Sequence, residues 1–237
     1  MLRHLLVGSL VLGFAFTASA APDLNKVKAQ MEKAMPGVQF ESVVATPIDG
    51  LYEVVLNGQL IYLTEDARYM VHGDIYDRET TKNLTEVAKG KLRVGMVKTI
   101  TDANSIVFGP KKAKHTLNVF TDTSCGYCRK LHTEVPKLNE KGIKVRYLLF
   151  PRAGLQSASY NELQSVWCSD NQQDALTKAK SGQHIPEKKC PNPIEEHMSL
   201  ANSLGLRGTP FMVTNSGYVI NGYLPADELI KTLDAND

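Results

Sequence analysis

The chain has 237 residues, 27 of them Lys or Arg and 25 Asp or Glu, for a formal net charge of +2. A balance this even argues against an electrostatic grip on nucleic acid or on an anionic membrane. All four cysteines lie between Cys125 and Cys190, so only one part of the chain can be crosslinked.

Residues 1–20 read as a secretory signal peptide. Arg3 and His4 make a basic start, Leu5 to Phe16 is apolar, and Ala18-Ser19-Ala20 is a small-residue cleavage site. The apolar run is shorter than the roughly 20 residues a bilayer span needs, and no later stretch is long enough either. The expectation is cleavage after Ala20 and a soluble mature chain long enough for one large domain, or for a small one and a medium one. Export implies an oxidising compartment, where an even cysteine count normally means disulfides.

Pro22 to Met35 carries Leu24, Val27, Met31, Ala34 and Met35 at helical spacing, and Pro36-Gly37 ends the pattern. From Val38 to Asp77 the period changes. Leu51 to Leu56 and Gln59 to Leu63 flank Asn57-Gly58, the strongest short-range hairpin signal, and Arg68 to His72 reads as a further strand. Residues 21–79 therefore read as an α+β module, a helix with an antiparallel sheet. A module of about 60 residues with no cysteine buries only about 60% of its unfolded surface. Pairing with a second copy through an open sheet edge would remedy that, which favours a homodimerisation domain. Packing on the rest of its own chain is the alternative.

Residues 80–104 read as a linker: a helix from Thr80 to about Lys98, weakened by Gly90 and Gly95, then a loop from Thr101 to Ser105. Residues 105–237 follow an α/β rhythm. Ile106 to Phe108 is a short strand stopped by Gly109-Pro110, and Lys111 to Lys114 is a solvated basic turn. His115 to Phe120 is a strand, Cys125 to Glu140 a helix interrupted by Pro136, and Ile143 to Phe150 a strand. Strand, helix and strand at this spacing form a βαβ unit with parallel strands. Residues 151–193 break the rhythm as a helical insertion anchored by Trp167 and Leu176. A helix over Ile194 to Leu206, a hairpin of Phe211–Val213 and Tyr218–Ile220 about Asn215-Ser216-Gly217, and a closing helix over Pro225 to Leu233 complete the chain.

The chemistry concentrates in Cys125-Gly126-Tyr127-Cys128, where an apolar strand gives way to a helix. Cysteines at i and i+3 share a helix face, and the helix N-terminus favours a thiolate. Haem attachment would need a histidine after the second cysteine, where Arg129 stands. A zinc site would need Cys168 and Cys190 as further ligands, and their separation is too wide for a usual second pair, so no metal is expected. A redox dithiol accounts for every feature. Cys125 is then the attacking thiolate and Cys128 its resolving partner, with Gly126 and Tyr127 between the sulfurs tuning thiolate stability and access. If a substrate thiol resolves the mixed disulfide, the substrate is isomerised; if Cys128 does, the substrate is reduced. His132, one turn past Cys128, reads as an ordinary surface or boundary residue. A working dithiol pairs with itself, which leaves a structural Cys168–Cys190 bond stapling the insertion.

These residues resemble the DsbC-type periplasmic thiol:disulfide interchange proteins, thioredoxin-fold disulfide isomerases. The resemblance rests on Leu60 to Tyr76, Phe120 to Cys128, Val145-Arg146-Tyr147-Leu148 with Phe150-Pro151-Arg152, Trp167-Cys168, Cys190, and Gly208-Thr209-Pro210. The Cys-Gly-Tyr-Cys spelling is closer to the isomerase than to its chaperone-like DsbG relative. The resemblance implies a V-shaped homodimer with an apolar cleft, a linker helix, and a thioredoxin-like catalytic domain. It also implies a cis Thr209-Pro210 bond facing the cysteines, whose main chain binds substrate. No cofactor is implied. The partners implied are misfolded secreted proteins with wrong disulfides and a membrane reductant of the DsbD type, and chaperone activity goes with them. Val119 stands where thioredoxin has a buried acid, so proton removal from Cys128 has to be arranged otherwise. A dithiol oxidase and a redox-inactive chaperone are the competing functions.

Overall fold

A computed structural model describes residues 22–56 and 58–237. The signal peptide expected over 1–20, and Asn57 of the hairpin signal, lie outside the described residues. The chain divides into two compact units, one ending at Gly73 and the other running Asp74–Asp237. Among the described residues no helix is long and apolar enough to cross a membrane.

In the first unit, α1 (Leu24–Ala34) starts where the Asp23 carboxylate accepts from the main-chain N–H of Asn25 and Lys26. Val27 and Met31, one turn apart, are its buried residues. They pack against Phe40 and against Tyr52, Val54, Ile61 and Leu63. Those last four alternate along β2 (Leu51–Leu56) and β3 (Gln59–Thr64), the central strands of an antiparallel sheet. Flanking them are β1 (Ser42–Ala45) and β4 (Met70–Val71), giving the order β1-β2-β3-β4. The hairpin register sets Leu56 opposite Gln59, and Gly58 takes a φ of +71° that glycine adopts without strain. β4 is an edge strand, and its Met70 and Val71, with Tyr69 just before it, are exposed.

The second unit opens with a ribbon that the sequence did not announce, β5 (Tyr76–Asp77) with β6 (Lys82–Asn83). Asn83 then caps α2 (Leu84–Val97), its side-chain oxygen accepting from the Glu86 N–H at 3.0 Å. The helix expected from Thr80 thus starts four residues later, because Lys82 and Asn83 are spent on the ribbon. After a 3-10 turn at Asp102–Asn104 come β7 (Ile106–Phe108), β8 (His115–Thr121), α3 (Gly126–Glu140), β9 (Ile143–Leu149), α4 (Ala158–Trp167) and α5 (Gln172–Lys180). The unit closes with α6 (Ile194–Ser203), β10 (Phe211–Thr214), β11 (Val219–Asn221) and α7 (Ala226–Asn236). α3 runs through Pro136, which has no N–H to return to the His132 carbonyl. The insertion is helical only as far as Lys180. Gly182, Pro186, Pro191 and Pro193 keep the return segment irregular.

The sheet order is β11-β10-β8-β9-β7. β8 and β9 are parallel, from His115 opposite Ile143 to Thr121 opposite Leu149, and the other pairings are antiparallel. Both faces are covered, so that six of the seven residues of β8 are buried although only Leu117, Val119 and Phe120 are apolar. Leu117, Val119, Val145, Tyr147 and Leu149 face a core with Leu131, Val135 and Leu138 of α3 and Leu229 of α7. Phe120, Leu148, Phe211 and Val213 face a second core with Val97, Ala201 and Leu204. His197 of α6 bolts this second layer in place. Its Nδ1 accepts from the Leu149 N–H at 3.0 Å and its Nε2 donates to the Asn104 carbonyl at 2.7 Å. Gly217 (φ +83°) brings the β10–β11 turn so close to α2 that a Cβ there would strike the Gly90 carbonyl.

Candidate active site

Residues 122–125 carry the chain from the end of β8 to α3. Cys125 is the N-cap of α3, extended at φ −85° and ψ 119°, and its carbonyl accepts the first helical bond from the Arg129 N–H at 3.0 Å. Cys128 lies in the first turn of the helix. Both are free thiols, Cys125 at 4% exposure and Cys128 at 0%. Gly126 and Tyr127 between them are exposed, and Tyr127 stacks on Tyr223 with ring centroids 6.2 Å apart.

The loop before β10 covers the first sulfur. Its Thr209–Pro210 bond is cis, and the Cys125 thiol donates to the Thr209 carbonyl at 3.3 Å. The Thr209 hydroxyl is buried and acts on both cysteine sulfurs. Burial acts to raise the Cys125 thiol, but the Thr209 side chain, the N–H and thiol of Cys128, and the Arg152 charge outweigh it. Cys125 therefore sits below its ordinary value. At Cys128 burial dominates. The charge of Lys180, the Asp122 N–H and the side chains of Thr209 and Thr121 only partly offset it, and this thiol is raised. The two cysteines are thus driven apart in acidity, the outer one toward thiolate and the inner one toward thiol.

Asp122 organises the turn. Its buried carboxylate accepts from the Ser124 N–H and hydroxyl, both at 2.8 Å, from the Ser159 hydroxyl, and from the Arg152 N–H at 2.9 Å and Nε at 3.3 Å. Burial acts to raise it, and the bonds from Ser159, Arg152 and Ser124 prevail and hold it below the usual carboxylate range. Lys180 is the second buried charge. It donates to the Thr121 hydroxyl at 2.7 Å, and its Nζ lies 5.3 Å from the Tyr147 ring centroid. Burial brings it down to about 8, against the pull of both cysteines and Asp122. His132 is the boundary residue expected. Its ring nitrogens meet the Tyr147 and Thr177 hydroxyls, both at 3.0 Å, and burial together with the Lys180 charge lowers it to about 4.

The structure gathers Cys125, Cys128, Thr209 and Pro210 at one place. It joins Cys168 to Cys190, 22 residues apart, at an S–S distance of 1.99 Å, so that the end of α4 holds the irregular return of the insertion. Sequence reasoning missed Asp122, Ser159 and Lys180 as members of the site. Asp122 stood inside the motif, but an aspartate before a helix is an ordinary capping residue. Nothing in the pattern of α5 sets Lys180 apart from Lys178.

Two family models match, "Disulfide bond isomerase protein N-terminal domain" over residues 18–86 and "Thioredoxin-like domain" over residues 103–236. The thiol:disulfide interchange protein DsbC of Salmonella typhimurium is 33% identical over 94% of this chain and 92% of its own. The DsbC of Pasteurella multocida is 34% identical over 98% of this chain and 99% of its own. The crystal structure of a disulfide interchange protein from Neisseria gonorrhoeae aligns with a TM-score of 0.52 at 27% identity, covering 58% of this chain and 98% of that one. A low thiol over a buried partner, in a thioredoxin-like unit with relatives matched along nearly their whole length, makes this chain a member of the DsbC family of thiol:disulfide interchange proteins.

Proposed function

We propose that the chain acts as a disulfide isomerase and reductase of exported proteins, with Cys125 attacking and Cys128 resolving. The observation that carries these roles is the placement of the two thiols, Cys125 at the N-cap of α3 against the Thr209 carbonyl and Cys128 fully buried in the first turn, which displaces them in opposite directions. The Cys125 thiolate attacks a substrate disulfide, forming one S–S bond and releasing one substrate sulfur as thiolate. When a second substrate thiolate attacks the substrate sulfur of that mixed disulfide, the pairing is exchanged and Cys125 is regenerated. When the Cys128 thiolate attacks Cys125 instead, the substrate leaves reduced and the enzyme is oxidised. Thr209 and Pro210 bind the extended substrate strand beside Cys125. Gly126 and Tyr127 form the exposed lip across which the substrate arrives. Cys168–Cys190 is structural.

Residues 21–79 serve as the dimerisation domain, with residues 80–104 as the linker. The exposed apolar edge of Tyr69, Met70 and Val71 supports this, since an open strand edge is a template for pairing with a second copy. The N-terminal charge and hydropathy pattern, with membership of the family, supports export to the periplasm and removal of residues 1–20. A membrane reductant of the DsbD type then keeps the dithiol reduced, and chaperone activity toward the same substrates accompanies the exchange. The test is recovery of a scrambled disulfide protein by wild type and by Cys125→Ser. We expect recovery to fall to the uncatalysed rate in the variant. Unchanged recovery would rule out the dithiol mechanism and leave a redox-inactive chaperone.

A further inference from the structure

Resolution by Cys128 demands that a buried thiol lose its proton, and Val119, at the place of thioredoxin's buried acid in the resemblance drawn above, is fully buried and carries no base. The other titratable groups near Cys128 are spoken for. Asp122 carries five donors and is held ionised, so it has little affinity for another proton. His132 is fixed between the Tyr147 and Thr177 hydroxyls and does not hold a proton near neutral pH. Tyr147 is buried and driven upward, so its phenol keeps its own proton. Arg129 is a permanent cation.

Lys180 is what remains. Its side chain comes in from α5 at 4% exposure and makes no ion pair among the described residues. Its polar contact is the Thr121 hydroxyl, at 2.7 Å. Thr121 is the last residue of β8, fully buried, and its hydroxyl is among the groups that act to lower the Cys128 thiol. Amine and hydroxyl are bonded to each other, and both act on the buried Cys128 thiol. We propose that Lys180, acting through the Thr121 hydroxyl, takes the proton from Cys128 when that cysteine resolves the mixed disulfide, and returns it in the reverse reaction. The assignment rests on the dithiol reading above.

The step balances as follows. Starting from a neutral Lys180 amine, the Cys128 proton passes to the Thr121 oxygen as the hydroxyl's own proton passes to the amine. The Cys128 thiolate attacks Cys125, the Cys125–Cys128 bond forms, and the bond from Cys125 to substrate breaks. Two electrons leave the dithiol with the departing substrate thiolate, and Lys180 is left as an ammonium. The groups facing that ammonium are Cys125, Cys128 and Arg129 of α3, Asp122, Tyr147 of β9 and His132. A fully buried lysine with no fixed carboxylate partner loses its charge readily, and the value of about 8 leaves a useful neutral fraction at neutral pH. A cavity of about 380 Å³, lined by Arg129, His132, Pro136, Thr177 and Lys180 among others, adjoins this lysine.

The test separates the two chemical steps. Attack is read as trapping of substrate on Cys125 in a Cys128→Ser background, and resolution as decay of a preformed mixed disulfide on the full chain. Lys180→Met keeps the length of the stem and removes the amine. We expect attack to be nearly unchanged, and resolution to slow by about 10²-fold at pH 7, in the range of general-base contributions. Resolution in wild type should level off near pH 8, and in Lys180→Met it should keep rising with hydroxide and recover with added small amines. If Lys180→Met does not fold, as judged by Trp167 fluorescence, Thr121→Val interrupts the same relay and should slow resolution alone. Resolution as fast in the folded variants as in wild type, or both steps slowed equally with an unchanged pH profile, would overturn the assignment. A chain carrying Cys128→Ser alone that traps no substrate would instead overturn the dithiol reading itself.

Discussion

Replacing Asp122 by Asn isolates what one buried carboxylate does for this site. The substitution keeps the shape and exchanges one acceptor oxygen for an NH2 donor. The least costly placement leaves the carbonyl at the Oδ1 position, where Ser124 N–H, Ser124 Oγ and Ser159 Oγ converge. The amide then faces the Arg152 N–H, which sat 2.9 Å from Oδ2, donor against donor. The Arg152 guanidinium, with a side chain 45% exposed, can turn to water at little cost. One orphaned buried donor costs about 1–3 kcal/mol. The three surviving bonds lose their charge assistance, which roughly halves each. Relief from burying a charge offsets part of this, leaving a net loss of about 3 kcal/mol. That is a large fraction of a typical domain stability of about 5–15 kcal/mol, so the variant should fold but only just. Urea unfolding followed by Trp167, the only tryptophan in the chain and a residue of the second unit, measures it. Ser159→Ala leaves four of the five bonds in place and should cost about 1 kcal/mol. A loss below about 1 kcal/mol in Asp122→Asn would refute the claim that this carboxylate organises the turn into α3.

Stability should also fall on acidification, and His197 supplies much of the slope. Burial lowers it to about 4 in the folded state against about 6.5 unfolded, so between those values the unfolded chain binds more protons. Moving from pH 7 to pH 5 should cost about 2 kcal/mol through this residue, with the loss growing as pH falls toward 4; identical pH slopes for wild type and His197→Gln would contradict it. Removing the second cysteine pair by Cys168→Ala with Cys190→Ala opens a loop closed over 22 residues and should lower stability by about 3 kcal/mol. Exchange chemistry per folded molecule should be spared, and lost chemistry in a folded variant would show that the bond does more than hold the insertion.

What the sequence determined by itself was whatever local patterning encodes. Asn57-Gly58 between the apolar runs Leu51–Leu56 and Gln59–Leu63 announced the hairpin, and a βαβ unit was legible from His115 to Phe150, because period and punctuation are properties of neighbouring residues. The same locality exposed the dithiol, since two cysteines three apart at a strand-to-helix junction need no distant information to be read. The end of the insertion and the start of α2 were not legible. In the first, Gly182 and three prolines override a polar, helix-like composition; in the second, residues Lys82 and Asn83 are claimed by pairing with Tyr76 and Asp77. The tertiary structure alone decided the electrostatics of the site. Lys178 and Lys180 are two positions apart on one amphipathic helix, yet Lys178 is half-exposed against Asp174 while Lys180 turns inward to a hydroxyl 59 residues away. Asp122 meets Arg152 across 30 residues and His197 meets Leu149 across 48. A charge becomes a proton carrier or a fixed anchor according to burial and partners, and those are set only when distant segments pack.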